Sequence, residues 1–181
     1  MTEQIIIAGS GGQGIMLLGK VLTESGLING YKVIWFPTYG AEVRGGAAHC
    51  MVIISSDDIP SPYINKADTL IIMNELSMSR FKHRIKKGGL LLINSSLVNK
   101  NKLNCSSSDT NQVYQPFSET AVRLGNIRIA NMVALGVYLA KKKIFSKEVV
   151  FKAIEEIAPA EKRNLIQINK RAIEEGLRLA R

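Results

Sequence analysis

Cysteine is scarce in this chain: there are two in 181 residues, Cys50 and Cys105. They form no CxxC pair, and two thiols build no disulfide framework. They also cannot ligate an iron–sulfur cluster unaided, since such clusters take about four cysteine ligands. Long apolar runs are missing too. No stretch approaches the roughly 20 residues that span a bilayer, so no membrane association is expected. The N-terminus lacks a basic segment followed by a longer apolar stretch and a cleavage site, so no signal peptide is read there. Together these absences read as a cytoplasmic protein. Aromatic residues amount to 6% and are not interleaved with basic ones. Stacking platforms for single-stranded nucleic acid need that interleaving. Carboxylates are outnumbered, 15 Asp and Glu against 24 Lys and Arg, for a net charge of +9. The excess cations are dispersed in small clusters, Lys82, Arg84, Lys86 and Lys87 in one and Lys141, Lys142 and Lys143 in another. That pattern suits a solvated surface or an anionic partner better than nucleic acid.

What the chain does have is enough apolar content, 46%, for one domain over residues 1–181 with a substantial core. Short apolar runs alternate with helical periodicity. Strands are expected at Gln4–Ala8, Lys32–Phe36, Cys50–Ile54, Thr69–Met73 and Leu90–Ile93, with a short one at Val113–Gln115. Helices are expected at Gly14–Ser25, Leu76–Ile85, Ile129–Lys142, Ser146–Ile157 and about Glu161–Ala180. Gly88-Gly89 reads as a turn, and residues 94–112 as a polar, irregular segment. The opening strand–loop–helix–strand order predicts the start of a parallel sheet. Continuous apolar strands alternating with helices predict an α/β fold of three layers, α/β/α, on a Rossmann-like, mostly parallel sheet.

The first strand runs into GSGGQGI, Gly9 to Ile15. Gly9, Gly11 and Gly14 make a G-x-G-x-x-G, the spacing of a loop that cradles a dinucleotide pyrophosphate. A dinucleotide fold also needs an acid at the end of the second strand to hold the ribose. Here that strand ends Ile34-Trp35-Phe36-Pro37. It carries no Asp, no Glu and no Arg, so a classical dinucleotide site is disfavoured. Two readings remain. The loop, with its extra Gly12, is a tight strand-to-helix turn, or it presents backbone donors to a partner or a shared ligand. Gln13 can donate and accept there, or simply sit exposed at the helix start.

A second loop, YGAEVRGGAAHC, spans Tyr39 to Cys50. Gly40, Gly45 and Gly46 allow close backbone approach. Arg44 offers a planar fork to a carboxylate or phosphate, or pairs with Glu42. His49 and Cys50 are adjacent at the start of a strand, so they should point to opposite faces and share no metal. With a parallel sheet, both loops fall on its carboxyl edge, where ligands and partners of open α/β sheets tend to sit.

The two loops together resemble the gamma subunit of the 2-oxoacid:ferredoxin oxidoreductases. The order of glycine loop, helix, strand and Tyr-Gly-x-Glu-x-Arg-Gly-Gly is similar. So are MNELS (Met73–Ser77), GGLLLINSS (Gly88–Ser96), NMVALG (Asn131–Gly136) and the terminal helix with Asn169 and Gly176. The second loop and IPSP (Ile59–Pro62) look most like the 2-oxoglutarate-type enzyme, 2-oxoglutarate synthase. Pyruvate-, branched-chain- and indolepyruvate-type subunits share the scaffold and remain alternatives, as does a stand-alone nucleotide-binding module. The resemblance implies a fold like domain III of pyruvate:ferredoxin oxidoreductase. It implies a reaction in which a 2-oxoacid, coenzyme A and oxidised ferredoxin give an acyl-CoA, CO2 and reduced ferredoxin. It places thiamine diphosphate, Mg2+ and iron–sulfur clusters on alpha, beta and ferredoxin-like delta subunits. This chain then binds no cofactor or metal alone, contributes no catalytic residue and is inactive alone. Its expected subunit-interface or coenzyme A-contacting residues are Gly9, Gly11, Gly12, Gln13 and Gly14 with Tyr39, Gly40, Glu42, Arg44, Gly45 and Gly46. An isolated chain with such a docking surface is expected to form a homodimer, twofold symmetry being the commonest closed arrangement.

Overall fold

The structure, a computed structural model, describes residues 1–38, 47–99 and 110–180. Six strands form one sheet: β1 (Thr2–Ser10), β2 (Lys32–Thr38), β3 (Ala47–Ser55), β4 (Ala67–Ile72), β5 (Ile85–Asn94) and β6 (Asn111–Gln115). Among the described residues six α-helices surround it: α1 (Ile15–Ile28), α2 (Glu75–Phe81), α3 (Phe117–Arg123), α4 (Ala130–Lys142), α5 (Lys147–Ile157) and α6 (Ile166–Leu179). The strand order is β2-β3-β1-β4-β5-β6. β1, β4, β5 and β6 pair in parallel.

The start of the sheet departs from the sequence expectation. β1 and β2 are not neighbours, because β3 lies between them, antiparallel to both. A parallel crossover needs about a dozen residues or more. The link 39–46 between β2 and β3 is shorter, so the chain folds back instead. β2 still runs in the direction of β1, one strand removed. Several boundaries also differ, three of them with consequences. The helix expected over Leu76–Ile85 ends at Phe81, a 3-10 turn covers Lys82–Arg84, and Ile85 already pairs with Ala67 in β5. Gly88-Gly89 forms a bulge within β5, where pairing jumps from Ala67–Ile85 to Thr69–Leu90. The last helix starts at Ile166, after a 3-10 segment from Ala160 to Leu165. Helix α3 was not expected: it is one short amphipathic segment opening after Pro116, which holds its N-terminal position.

Alternation along the strands divides the core. Ile5, Ile7, Val52, Ile54, Ile71 and Leu92 face α1, α4 and α5. Ile6, Met51, Ile53, Leu70, Ile72 and Leu91 face α2 and Ile64. The helices therefore lie on both faces but unequally. Residues Ala130 to Leu139 of α4 are all buried. A helix apolar around its whole circumference belongs between layers, and α4 sits between the sheet and α6. The α4–α6 crossing rests on Gly136 and Gly176. A Cβ on Gly136 would lie 2.1 Å from the Ile173 carbonyl oxygen, and one on Gly176 2.1 Å from that of Val133. Only glycine allows two helix backbones to touch this closely.

Candidate functional site

The carboxyl ends of β1, β4 and β5 meet at the glycine loop. The loop turns tightly, with Gln13 N–H donating to the Ser10 carbonyl at 3.2 Å. Gly14 caps α1 at φ 70°, and a Cβ there would strike the Asn131 amide at 2.4 Å. Four carboxamides brace the turn. Gln13 Oε1 accepts from Ser10 N–H at 2.7 Å and from Asn74 Nδ2 at 3.0 Å, while Gln13 Nε2 donates to the Met73 carbonyl at 3.3 Å. Asn74 Nδ2 also reaches Ser10 Oγ at 2.6 Å, and Asn74 Oδ1 caps α2 by accepting from Ser77 N–H at 2.9 Å. Asn94 Nδ2 donates to the same Met73 carbonyl at 3.1 Å and to Ser118 Oγ at 2.8 Å. Asn131 Nδ2 donates to the Gly14 carbonyl at 3.0 Å. Buried polar groups must be paired within the protein or cost stability, and here the pairing joins the loop to β4, β5, α3 and α4. The Gln13 amide is thus engaged inside the fold and does not reach outward. Gly11 and Gly12 are the exposed members of the loop.

Beside Gly12 lies a cleft of about 240 Å³. Gly12, Gln13, Leu97, Ile127, Arg128 and Ala130 border it. Leu97 and Ile127 are large apolar side chains left 47% and 53% exposed at its rim. Arg128 stands exposed just before α4. These three residues went unread in the sequence, because Leu97 lies in a turn and Ile127 and Arg128 in a single 3-10 turn, both too short to show periodicity. The available signal for Arg128 was a lone cation beside the apolar stripe that opens α4. A smaller apolar cavity, about 80 Å³ between α1, α5 and α6, carries Lys162 and Asn169 as its polar groups. That is too few convergent groups to orient a reacting molecule.

Tyr39, Gly40, Glu42, Arg44, Gly45 and Gly46 lie outside the described residues, as does Cys105. The roots of their loop are described. Thr38 is level with His49, and His49 with Ala8. The second loop therefore leaves the sheet at the edge that bears Ser10 and the glycine loop. His49 and Cys50 point to opposite faces, as adjacent strand residues must. The His49 ring packs on Phe81 with centroids 4.7 Å apart. Burial, then the nearby Arg84 and Arg80 guanidinium groups, lowers its pKa. Cys50 is buried under α1, where its thiol donates to the Ile15 carbonyl at 3.6 Å; the buried Trp35 indole N–H lies beside it over Gly19 without a hydrogen bond. Burial raises its pKa to about 12. A thiol held neutral in this way is a poor metal ligand. Among the described residues no group of three His, Cys, Asp or Glu side chains could hold a metal ion. The described part of the glycine edge offers backbone donors and a cation.

The family model for pyruvate ferredoxin/flavodoxin oxidoreductase matches residues 4–179, nearly the whole chain. The chain belongs to this family. A 2-oxoglutarate synthase subunit, KorC, from Methanocaldococcus jannaschii is 33% identical over 174 residues, covering 94% of this chain and 92% of that one. Ketoisovalerate oxidoreductase subunit VorA from Methanothermobacter thermautotrophicus is 32% identical over 178 residues. The chain spans 36% of that subunit's length. In three dimensions it matches the gamma subunit of a keto/oxoacid ferredoxin oxidoreductase from Geobacter sulfurreducens, with a TM-score of 0.83, 28% identity and 98% of both chains covered. The family's fold is therefore the fold expected from the two loops, and the resemblance read in the sequence holds across almost all of the chain. Membrane passage has no helical vehicle: no helix among the described residues is long and apolar enough to cross a bilayer.

Proposed function

We propose that this chain is the gamma subunit of a 2-oxoacid:ferredoxin oxidoreductase of the 2-oxoglutarate type, acting in the cytoplasm. The complex would convert 2-oxoglutarate, coenzyme A and oxidised ferredoxin to succinyl-CoA, CO2 and reduced ferredoxin. Thiamine diphosphate, Mg2+ and the clusters would sit on alpha, beta and delta partners. The glycine-loop edge would dock on the thiamine-bearing subunits and contact coenzyme A. The observation that carries this reading is the edge itself. A rigidly braced glycine loop exposes Gly11 and Gly12 beside Arg128, Leu97 and Ile127. Exposed backbone N–H groups and a guanidinium suit phosphate oxygens, and the apolar rim suits a permanent subunit contact. The match to a 2-oxoglutarate synthase subunit over 94% of this chain and 92% of that one supports the substrate type. A branched-chain substrate is the second reading, favoured by the nearly equal identity to the ketoisovalerate oxidoreductase subunit.

Co-purification tests the assembly: the tagged chain is expected to bring down thiamine-binding and cluster-binding chains. The purified complex is then assayed with 2-oxoglutarate, ketoisovalerate, pyruvate and indolepyruvate. Highest kcat/KM for 2-oxoglutarate supports the assignment, and highest kcat/KM for another oxoacid overturns it. Arg44→Ala and Arg128→Ala variants test the edge. A raised KM for coenzyme A or weakened assembly is expected, and unchanged values for both variants would sink the docking role.

A further inference from the structure

A second charged surface lies at the other end of the sheet. Asn65 and Lys66 lead into β4, and His83 and Arg84 lead into β5. These residues gather at the amino ends of neighbouring parallel strands. With Tyr63 and Arg80 they border an open cleft of about 360 Å³. The cations are held in place. The Arg84 guanidinium donates to the Ile64 carbonyl and, at 3.3 Å, to that of Asn65, and it lies 5.1 Å over the Tyr63 ring. Lys66 Nζ donates to the His83 carbonyl. Carbonyl partners fix a cation without neutralising it. Among the described residues no carboxylate lies within ion-pair distance of Lys66, Lys82 or Arg84. The nearest acid by sequence, Asp68, is engaged by Lys86 at 2.7 Å and by Gln4 N–H at 2.9 Å. The cause is visible in the sequence, which has no Asp or Glu between Glu75 and Asp109. The field reaches inward as well: after burial, the Arg84 and Arg80 guanidinium groups add to the lowering of the His49 pKa.

The character of the patch selects its partner. It is open and polar, and its one large exposed ring is Tyr63, at 59%. A permanent subunit interface resembles a core cut in half, and the exposed Leu97 and Ile127 that would build one lie on the opposite edge. Single-stranded nucleic acid needs successive aromatic platforms, and the Tyr63 ring already carries Arg84 on one face. Small molecules prefer enclosed, mostly apolar pockets. Unneutralised, positioned cations on an open polar face favour fast, salt-sensitive capture of an acidic protein.

We propose that Lys66 and Arg84 form the docking surface for the acidic face of the small electron-carrier protein that this complex reduces. The assignment rests on the proposed function, in which that carrier is ferredoxin. The experiment uses the assembled complex, with Lys66→Glu and Lys66→Arg variants. Turnover is measured with ferredoxin and with methyl viologen, at low and at physiological ionic strength. The charge-reversed variant is expected to raise the ferredoxin KM about tenfold at low salt and to flatten its salt dependence, as a lost electrostatic docking face should. Viologen turnover stays at the wild-type rate, and the arginine variant keeps the wild-type ferredoxin KM. A complex active with viologen whose ferredoxin KM ignores the charge reversal overturns this assignment alone. A wild-type complex that oxidises no 2-oxoacid with either acceptor overturns the proposed function and this assignment with it. Salt-sensitive retention of duplex DNA, lost on charge reversal with ferredoxin KM unchanged, would give the patch to nucleic acid and overturn the proposal.

Discussion

Gln13 makes three hydrogen bonds that hold the glycine loop to Ser10, Met73 and Asn74. Gln13→Ala would leave the Ser10 N–H and one Asn74 N–H without this acceptor. Orphaning a part-buried donor costs about 1–3 kcal/mol, so the urea midpoint is expected to fall accordingly, with no change at remote positions. Cys50 offers a different test. Its thiol, with a pKa of about 12 against 9.0 for the free group, stays protonated in the fold where the unfolded chain ionises. The native state then binds more protons than the unfolded one between those values, so stability falls as pH rises through that window. The slope is at most about 1.4 kcal/mol per pH unit. At pH 8 iodoacetamide should leave Cys50 unlabelled in the native protein and label it in urea, read by peptide mapping. Labelling of Cys50 in the native state would contradict its burial. His49 works in the opposite sense. Its pKa is lowered from 6.5, so the unfolded state takes up the proton first and stability falls as pH drops below that value. A His49→Gln variant should lose that part of the acid sensitivity.

At the scale of elements, the α4–α6 contact has the least tolerance. Gly136→Ala or Gly176→Ala would put a Cβ 2.1 Å from a carbonyl oxygen of the opposing helix. Backbone cannot yield as a flexible side chain does, so the cost should reach the upper end of the about 1–3 kcal/mol of overpacking, or pass it. Gly12→Ala is the comparison: nothing lies within 4 Å of its Cβ, and only the positive φ of 87° opposes it. That costs about 1–2 kcal/mol. Thermal denaturation of the three variants should rank them in this order, and an equal loss would refute the close helix contact. Elements also mark where sequence reading reached its limit. Ile5 to Ala8, Thr69 to Ile72 and Leu90 to Ile93 were legible as buried strands because they are apolar on consecutive positions. The insertion of β3 between β1 and β2 was not, since strand composition does not record a strand's neighbour. The glycine bulge in β5 reads locally as a turn for the same reason: Gly88-Gly89 looks alike in both, and only the pairing with β4 distinguishes them.

At the scale of the whole molecule, the chain has two unlike ends. The glycine-loop edge is apolar at its rim, and the opposite edge is cationic. In isolation the apolar rim at Leu97 and Ile127 should be the one to self-associate. We expect the purified chain to elute as a dimer in size-exclusion chromatography and to show no 2-oxoacid oxidation. Leu97→Asp/Ile127→Asp should give a monomer and also prevent assembly with partner chains, because burying an unpaired carboxylate in an interface is costly. A variant that still dimerises would place the contact elsewhere.

The sequence by itself determined most of the elements and the family. These follow from local causes: apolar periodicity sets strands and helices, and glycine spacing sets turns. The sequence likewise located the excess of positive charge. Only the tertiary structure decided what those residues face. It turned Gln13 inward, because Ser10 arrives there from the end of β1 and Met73 and Asn74 from the end of β4. It brought Leu97, Ile127 and Arg128 to the rim of the glycine loop, from segments far apart in the chain. It gathered Lys66 with Arg84 at one end of the sheet and left them without a carboxylate partner among the described residues. Such meetings depend on strand order and register, and no local property of a segment encodes which distant segment will lie beside it.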